Sequence, residues 1–149
     1  MEWAEYAALY PDGPDESGYE RLRWEARRVM DRATTGVDGV RKLSAAPPAD
    51  EAAVQAVERC EAALVWLLWQ MELGESYVRR EDGTVSPGMV TAISSGSESV
   101  SFAPPGTGTA TPREKEERCG QTAERYLSGV ADANGVPLLY MGRYPMRTQ

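Results

Sequence analysis

Residues 56–71, AVERCEAALVWLLWQM, contain the longest apolar run in the chain, AALVWLLW at 62–69. Apolar residues recur through this stretch at helical spacing, and Asp50 is a good N-cap. The pattern therefore predicts a long helix over about 50–73 that ends at Gly74. The run is much shorter than the roughly 20 apolar residues of a membrane span. This helix decides the fold, because its apolar stripe needs other helices to cover it.

The same helix carries more apolar surface than one stripe requires. Trp66 and Trp69 lie off the main stripe and three residues apart, hence on one side of the helix. A helix that is apolar most of the way round is either central in a core or covered by a second chain. The sequence leaves both roles open for the two tryptophans, as core or as assembly residues.

Two capping boxes mark the starts of the other main helices. The motif SGYE at 17–20 predicts a first helix over about 18–33, with Ser17 as its N-cap, and TPRE at 111–114 predicts a third over about 112–130. Glycines and prolines between the first and second helices, up to residue 49, are typical of a loop.

A serine-rich stretch and an apolar tail complete the chain. Residues 89–103 have strand-like composition around Gly96, which predicts a short β-hairpin between the second and third helices. After Gly135 the tail over 135–149 is apolar and aromatic, so we expect it to dock on the helices or on a partner. We predict one mainly α-helical domain spanning 1–149, a small helical bundle with a short β-hairpin.

Composition limits the function classes. The chain has 149 residues, 16 Lys and Arg against 23 Asp and Glu, and no histidine, so its formal charge of -7 argues against a surface that grips nucleic acid. The commonest general base and metal ligand are missing, and no phosphate loop or nucleophile elbow occurs. The sequence predicts no enzyme, no cofactor and no metal site, with Cys60 and Cys119 as reduced thiols.

The order of these segments resembles the head-tail connector proteins of tailed phages, the adaptor or head-completion family. The resemblance rests on YAALYPDG at 6–13, VMDRATTG at 29–36 and AVERCEAALVWLLWQ at 56–70. It continues through ISSGSESVSFA, then AERYLSGV, and finally LLYMG at 138–142. It spans nearly the whole chain, and its most specific part is the serine-rich ribbon followed by RYL and LLYMG.

The resemblance implies a structural virion protein at the head-tail interface, made in the host cytoplasm. Its partners would be the portal protein above, a stopper or tail-completion protein below, and further copies in a ring of twelve on the virion, whether or not the isolated chain is a monomer. DNA would pass through the lumen without specific binding, and no membrane would be involved. The portal or intersubunit contacts implied are Ser97, Glu98, Ser99, Val100, Ser101, Phe102, Leu138, Leu139, Tyr140, Met141 and Tyr144.

Two alternatives stay open at this point. The serine ribbon could be a surface hairpin that covers the second helix, a role that does not exclude a contact between subunits. The whole chain could instead be a monomeric helical regulatory or binding module, with an apolar groove around Trp66 and Trp69 as its partner site.

Overall fold

The computed structural model describes residues 1–78, 90–93, 100–102 and 111–145, which contain five helices and two short strands. In chain order these are α1 (Trp3–Leu9), α2 (Glu16–Thr34), α3 (Lys42–Ala45), α4 (Glu51–Val78), β1 (Val90–Ile93), β2 (Val100–Phe102) and α5 (Pro112–Leu127). The mainly helical prediction is confirmed. No helix in the described ranges is long and apolar enough to cross a membrane.

Side-chain caps fix where the long helices begin. The predicted caps of α4 and α5 are confirmed, since Asp50 Oδ2 accepts from the Ala53 amide at 3.2 Å and Thr111 forms a capping box with Glu114. The predicted Ser17 cap of α2 is wrong. Asp15 takes that position, and its Oδ1 accepts from the Gly18 amide at 2.8 Å, so α2 begins two residues earlier, at Glu16.

Two predicted helix ends also need correction. Helix α4 continues through Gly74 to Val78, because a glycine inside a helix costs only about 1 kcal/mol and does not by itself stop it. Helix α5 ends at Leu127 rather than 130, since Gly129 adopts a φ of 77° that a continuing helix cannot use. The predicted loop before α4 contains the short helix α3, and the residues before α2 contain α1.

The core lies where α2, α4 and α5 pack on one another. Each helix buries one face, and α4 buries most of its middle turn, including Cys60 and Leu64, as its apolar sequence predicts. Both cysteines are buried and free. Burial raises the pKa of the Cys60 thiol to about 12, so it acts as a small apolar side chain in the core.

Helix α1 closes one end of this core with aromatic rings. Tyr6 packs against Tyr19 of α2 with ring centroids 4.6 Å apart, and Trp3 and Tyr10 lie against Tyr6 at 5.9 and 5.2 Å. The Tyr19 hydroxyl donates to the Met1 carbonyl at 2.7 Å. The Tyr6 hydroxyl is buried with no hydrogen-bond partner among the described residues.

The two strands pair antiparallel, with Val90 opposite Phe102 and Ile93 opposite Val100. Residues 94–99, which would join them, lie outside the described residues, so the predicted hairpin over 89–103 stays a prediction. In the helical ranges 1–78 and 111–145, extended pairing is limited to two isolated bridges, Thr35 with Arg41 and Ala131 with Pro137.

Candidate contact surface at the C-terminal segment

A turn after α5 sends the chain back onto the helices. The Asp132 carboxylate organises this turn, since its Oδ1 accepts from the amides of Asn134 and Val136, each at 2.9 Å. Gly135 has a φ of 79°, the left-handed region in which a residue without a Cβ carries little strain. The Leu138 amide then donates to the Val130 carbonyl at 2.9 Å, which fixes the returning segment beside the end of α5.

The first part of the returning segment belongs to the core. Leu138 is fully buried among core side chains, and Val136 is also buried. Leu139 is half-buried and packs against the same core. The predicted contact residue Leu138 therefore packs inside its own chain in this structure and does not reach the surface.

A buried lysine holds the segment in place. The Lys42 ammonium donates to the Thr34 carbonyl at 2.9 Å, to the Leu138 carbonyl at 3.3 Å and to the Tyr140 carbonyl. The Thr34 carbonyl belongs to the last turn of α2, which is a favourable place for a cation. One cation thus ties the end of α2 to the C-terminal segment.

Burial lowers the pKa of Lys42, and the nearby carboxylates of Asp132 and Asp38 act in the opposite direction. Because three carbonyls accept from its ammonium, the charged form is well solvated by the protein itself. Lys42 is therefore a structural cation, fixed by backbone oxygens from two separate parts of the chain.

Tyr144 secures the outer end of the segment. Its hydroxyl donates to Asp132 Oδ2 at 2.6 Å and lies 2.8 Å from Asn134 Nδ2, while its amide donates to Asp38 Oδ2 at 2.7 Å. That amide hydrogen bond is the main cause that lowers the pKa of Asp38. The predicted contact residue Tyr144 is half-buried and serves first to hold the segment.

A close backbone approach completes the docking. The Val37 amide donates to the Met141 carbonyl at 2.9 Å, and a Cβ at Gly36 would lie 2.6 Å from the Gly142 carbonyl oxygen. Only glycine at position 36 leaves room for this approach. The turn after α2 therefore has glycine at the position where the LLYMG segment packs against its backbone.

Three apolar side chains remain exposed where these two segments meet, and we call them the C-terminal patch. Val37 is 79% exposed, Tyr140 46% and Met141 42%. Tyr140 and Met141 are among the predicted contact residues, whereas sequence reasoning missed Val37. Their backbones are fixed by the hydrogen bonds to Lys42 and Val37, so the patch is presented on an ordered frame.

The other predicted contact residues fall outside this surface. Ser97, Glu98 and Ser99 lie outside the described residues. For Val100, Ser101 and Phe102 the structure gives the strand β2 and its pairing with β1.

The two tryptophans of α4 have different surroundings. Trp66 is 37% exposed and lies against Tyr10, with ring centroids 6.0 Å apart. Trp69 is half-buried against the core, and its Nε1 is buried without a hydrogen-bond partner among the described residues. The rings are therefore partly covered by the chain itself.

Sequence reasoning missed an ion cluster between α2 and α4. Glu61 is buried, and its two carboxylate oxygens accept from Arg23 Nε at 2.6 Å and Arg27 Nε at 2.9 Å. A signal was present in the sequence, because Glu61 falls within the apolar stripe of α4. A buried carboxylate at such a position requires a cationic partner on the facing helix.

No family model matches the chain, and neither curated proteins nor solved structures give a significant match. Within the described ranges, no group of three or more His, Cys, Asp or Glu side chains is placed to hold a metal ion. The C-terminal patch is thus a group of exposed apolar side chains on a hydrogen-bonded backbone.

Proposed function

We propose that this chain is a structural subunit of a tailed-phage head-tail connector, an adaptor that binds beneath the portal and joins the DNA-filled head to the tail or a stopper. The order of its sequence motifs supports the family. The observation that carries the proposal is the C-terminal patch, in which Tyr140 and Met141 are held outward on the segment that resembles the family's portal-facing end.

The composition of the patch fits a protein contact. Aromatic residues and methionine are enriched in interface cores, and an ordered backbone reduces the entropy lost on binding. Lys42 and Tyr144 supply that order, through hydrogen bonds to backbone oxygens and to Asp38 and Asp132. Lys42 and Tyr144 thus hold the segment in place, whereas Tyr140 and Met141 are left exposed for a partner.

The test is a binding measurement with purified portal from the same phage. The variant Tyr140→Ser/Met141→Ser removes the exposed apolar groups and keeps the backbone carbonyls that accept from Lys42 and Val37. We expect portal binding to weaken about tenfold or more, since truncating interface anchors commonly costs over 1 kcal/mol. The control Val54→Ser removes an exposed apolar side chain on α4 and should leave portal binding unchanged.

Equal binding by the wild type and the double variant would contradict the proposal, provided that both give the same helical circular dichroism spectrum. Deleting everything after Gly135 is a poorer test, because it would also remove the buried side chains Val136 and Leu138. Loss of assembly in that truncation would not distinguish unfolding from loss of contact.

The proposed place in the virion also concerns DNA. An acidic chain with a formal charge of -7 favours a channel in which duplex DNA slides rather than adheres. A gel shift with the isolated chain at low salt should show no complex, and micromolar affinity for duplex would contradict this part of the proposal.

A further inference from the structure

Helix α2 carries an exposed basic groove near its C-terminal end. Trp24, Arg28 and Arg32 follow one another at four-residue spacing and so share one face of the helix. Arg41 reaches the same place, because its backbone pairs with Thr35 just after α2. These side chains, together with Asp31, line one shallow groove.

Two cations of this groove have no acidic partner within residues 1–78 and 111–145. Arg32 pairs with Glu116 of α5 at 2.9 Å, whereas neither Arg28 nor Arg41 pairs with a carboxylate in the part of the chain that the structure describes. The other arginines of α2 that face α4 are paired internally with Glu61 and Glu72. The groove is thus the part of α2 where positive charge is left for another molecule.

An exposed tryptophan lies beside these arginines. Trp24 is 62% exposed, and the Arg28 guanidinium lies 4.9 Å from the centroid of its ring. An exposed tryptophan stacked with an arginine unites the two residue types most enriched among interface residues that dominate binding energy. A helix face that contacts only water usually carries polar side chains, so solvent exposure alone does not explain a tryptophan at this position.

The N-terminal part of the chain has the complementary charge. Residues 1–20 contain six acidic side chains and no lysine or arginine, and all six acids are exposed. They belong to α1, the following turn and the start of α2, namely Glu2, Glu5, Asp12, Asp15, Glu16 and Glu20. Asp12, Asp15 and Glu16 flank the N-terminus of α2 and form the acidic cluster, in which Glu16 lies twelve residues before Arg28, about 18 Å along the helix axis.

We propose that the basic groove of Trp24, Arg28 and Arg41 binds the acidic cluster of Asp12, Asp15 and Glu16 on a second copy of this chain. The contact is head to tail, because it joins two different surfaces of the chain, and a contact of this type generates a ring when its rotation closes. Opposite charge on the two surfaces speeds encounter and fixes orientation, and the Trp24–Arg28 pair supplies the central anchor. The inference rests on the proposed function, since it gives the ring its subunit contact.

Charge exchange between two variants tests the contact. Arg28→Glu/Arg41→Glu makes both surfaces acidic, and Asp12→Lys/Glu16→Lys gives both surfaces a net positive charge, since only Asp15 of the acidic cluster remains. Each variant alone should self-associate at least about tenfold more weakly than the wild type, because like charges then face each other. An equimolar mixture should regain association, since every contact again joins opposite charges.

The measurement is sedimentation equilibrium of the full chain at low salt, up to about 1 mM, where even weak specific contacts are populated. The matched control, Arg59→Glu/Arg118→Glu, makes the same charge change at two exposed positions in the middle of α4 and α5, away from the groove. It should associate like the wild type. Added salt should weaken wild-type association.

Several outcomes would overturn the inference. These are a wild type that stays monomeric up to about 1 mM, a mixture that stays as weak as its components, and a control that is weakened equally. Duplex DNA binding that is lost in Arg28→Glu/Arg41→Glu would assign the groove to nucleic acid instead. If a reversal variant unfolds, Arg28→Gln/Arg41→Gln replaces it and should show the same direction of change.

The test is separable from that of portal binding. Arg28→Glu/Arg41→Glu leaves Tyr140 and Met141 intact, so each copy should still bind portal while neighbouring copies lose their mutual contact. Loss of self-association with portal binding retained would support the subunit contact alone. Loss of portal binding in Tyr140→Ser/Met141→Ser concerns the proposed function alone.

Discussion

Replacing Lys42 with methionine should undock the C-terminal segment. Methionine has a similar length and no donor, so the carbonyls of Thr34, Leu138 and Tyr140 lose the ammonium that they share. The hydrogen bonds to Thr34 and Leu138 are buried. Leaving a buried acceptor unsatisfied costs about 1–3 kcal/mol.

Part of this loss is offset, because methionine need not be desolvated as a cation. The lowered pKa of Lys42 shows that burial already penalises its charged form. We therefore expect a net loss of about 2–4 kcal/mol in the free energy of unfolding. In a chain of this size that corresponds to a fall of about 5–15 °C in Tm.

Two measurements check this expectation. Thermal unfolding followed by circular dichroism gives the loss of stability, and amide hydrogen exchange shows where it arises. Exchange should become faster at the Leu138, Tyr144 and Val37 amides, and change little in the middle of α4. The control Arg118→Met removes an exposed cation from α5. A Lys42→Met chain within about 1 kcal/mol of the wild type, with unchanged exchange at these amides, would refute the role assigned to Lys42.

Three further expectations concern the core and its edges. Tyr6→Phe should raise the free energy of unfolding by up to about 1 kcal/mol, since the buried Tyr6 hydroxyl has no partner among the described residues. Tyr19→Phe should lower it by about 1 kcal/mol, since the Tyr19 hydroxyl donates to the Met1 carbonyl. Denaturant unfolding of the two variants measures these opposite changes. Trp69→Ala should lower the free energy of unfolding by about 2–4 kcal/mol, and Trp66→Ala, whose ring is more exposed, by about half as much. Equal melting temperatures of the two variants would contradict this order. The pKa of Glu72 is lowered by hydrogen bonds from an arginine of α2, so its stabilisation is present above its usual pKa and is lost as the pH falls through the folded value. Glu72→Gln should therefore lower stability by about 0.5 kcal/mol at pH 7, a difference that disappears in acid unfolding curves once the pH has fallen through the lowered pKa of Glu72.

Local signals allowed much of the helical architecture to be predicted. Asp50 and Thr111 act on amides three residues away, so their capping roles can be recognised in the sequence. The end of α4 could not be placed, because Gly74 is compatible with both a helix interior and a helix end. Helix α1 was missed because its N-cap, Glu2, is not one of the residue types that usually signal a helix start.

The site was predictable only in part. The apolar character of the segment predicts that it docks, but it does not separate the exposed Tyr140 and Met141 from the buried Leu138, and the resemblance implied all three as contacts. Lys42 gave no signal, since its partners are backbone carbonyls of residues 8, 96 and 98 positions away. Backbone oxygens carry no sequence identity, and such a contact becomes visible only when the chain is folded.

The sequence separation of these contacts has a consequence for synthesis on the ribosome. Lys42 is translated 96 residues before Leu138, which at about 5–20 residues per second is an interval of about 5–20 s. Once α4 is complete at Val78, α2 and α4 can pair, but until residues 138–140 are made the lysine lacks two of its three acceptors and the place of Leu138 in the core is unfilled. The nascent chain therefore exposes an incompletely filled core until residues 138–140 emerge.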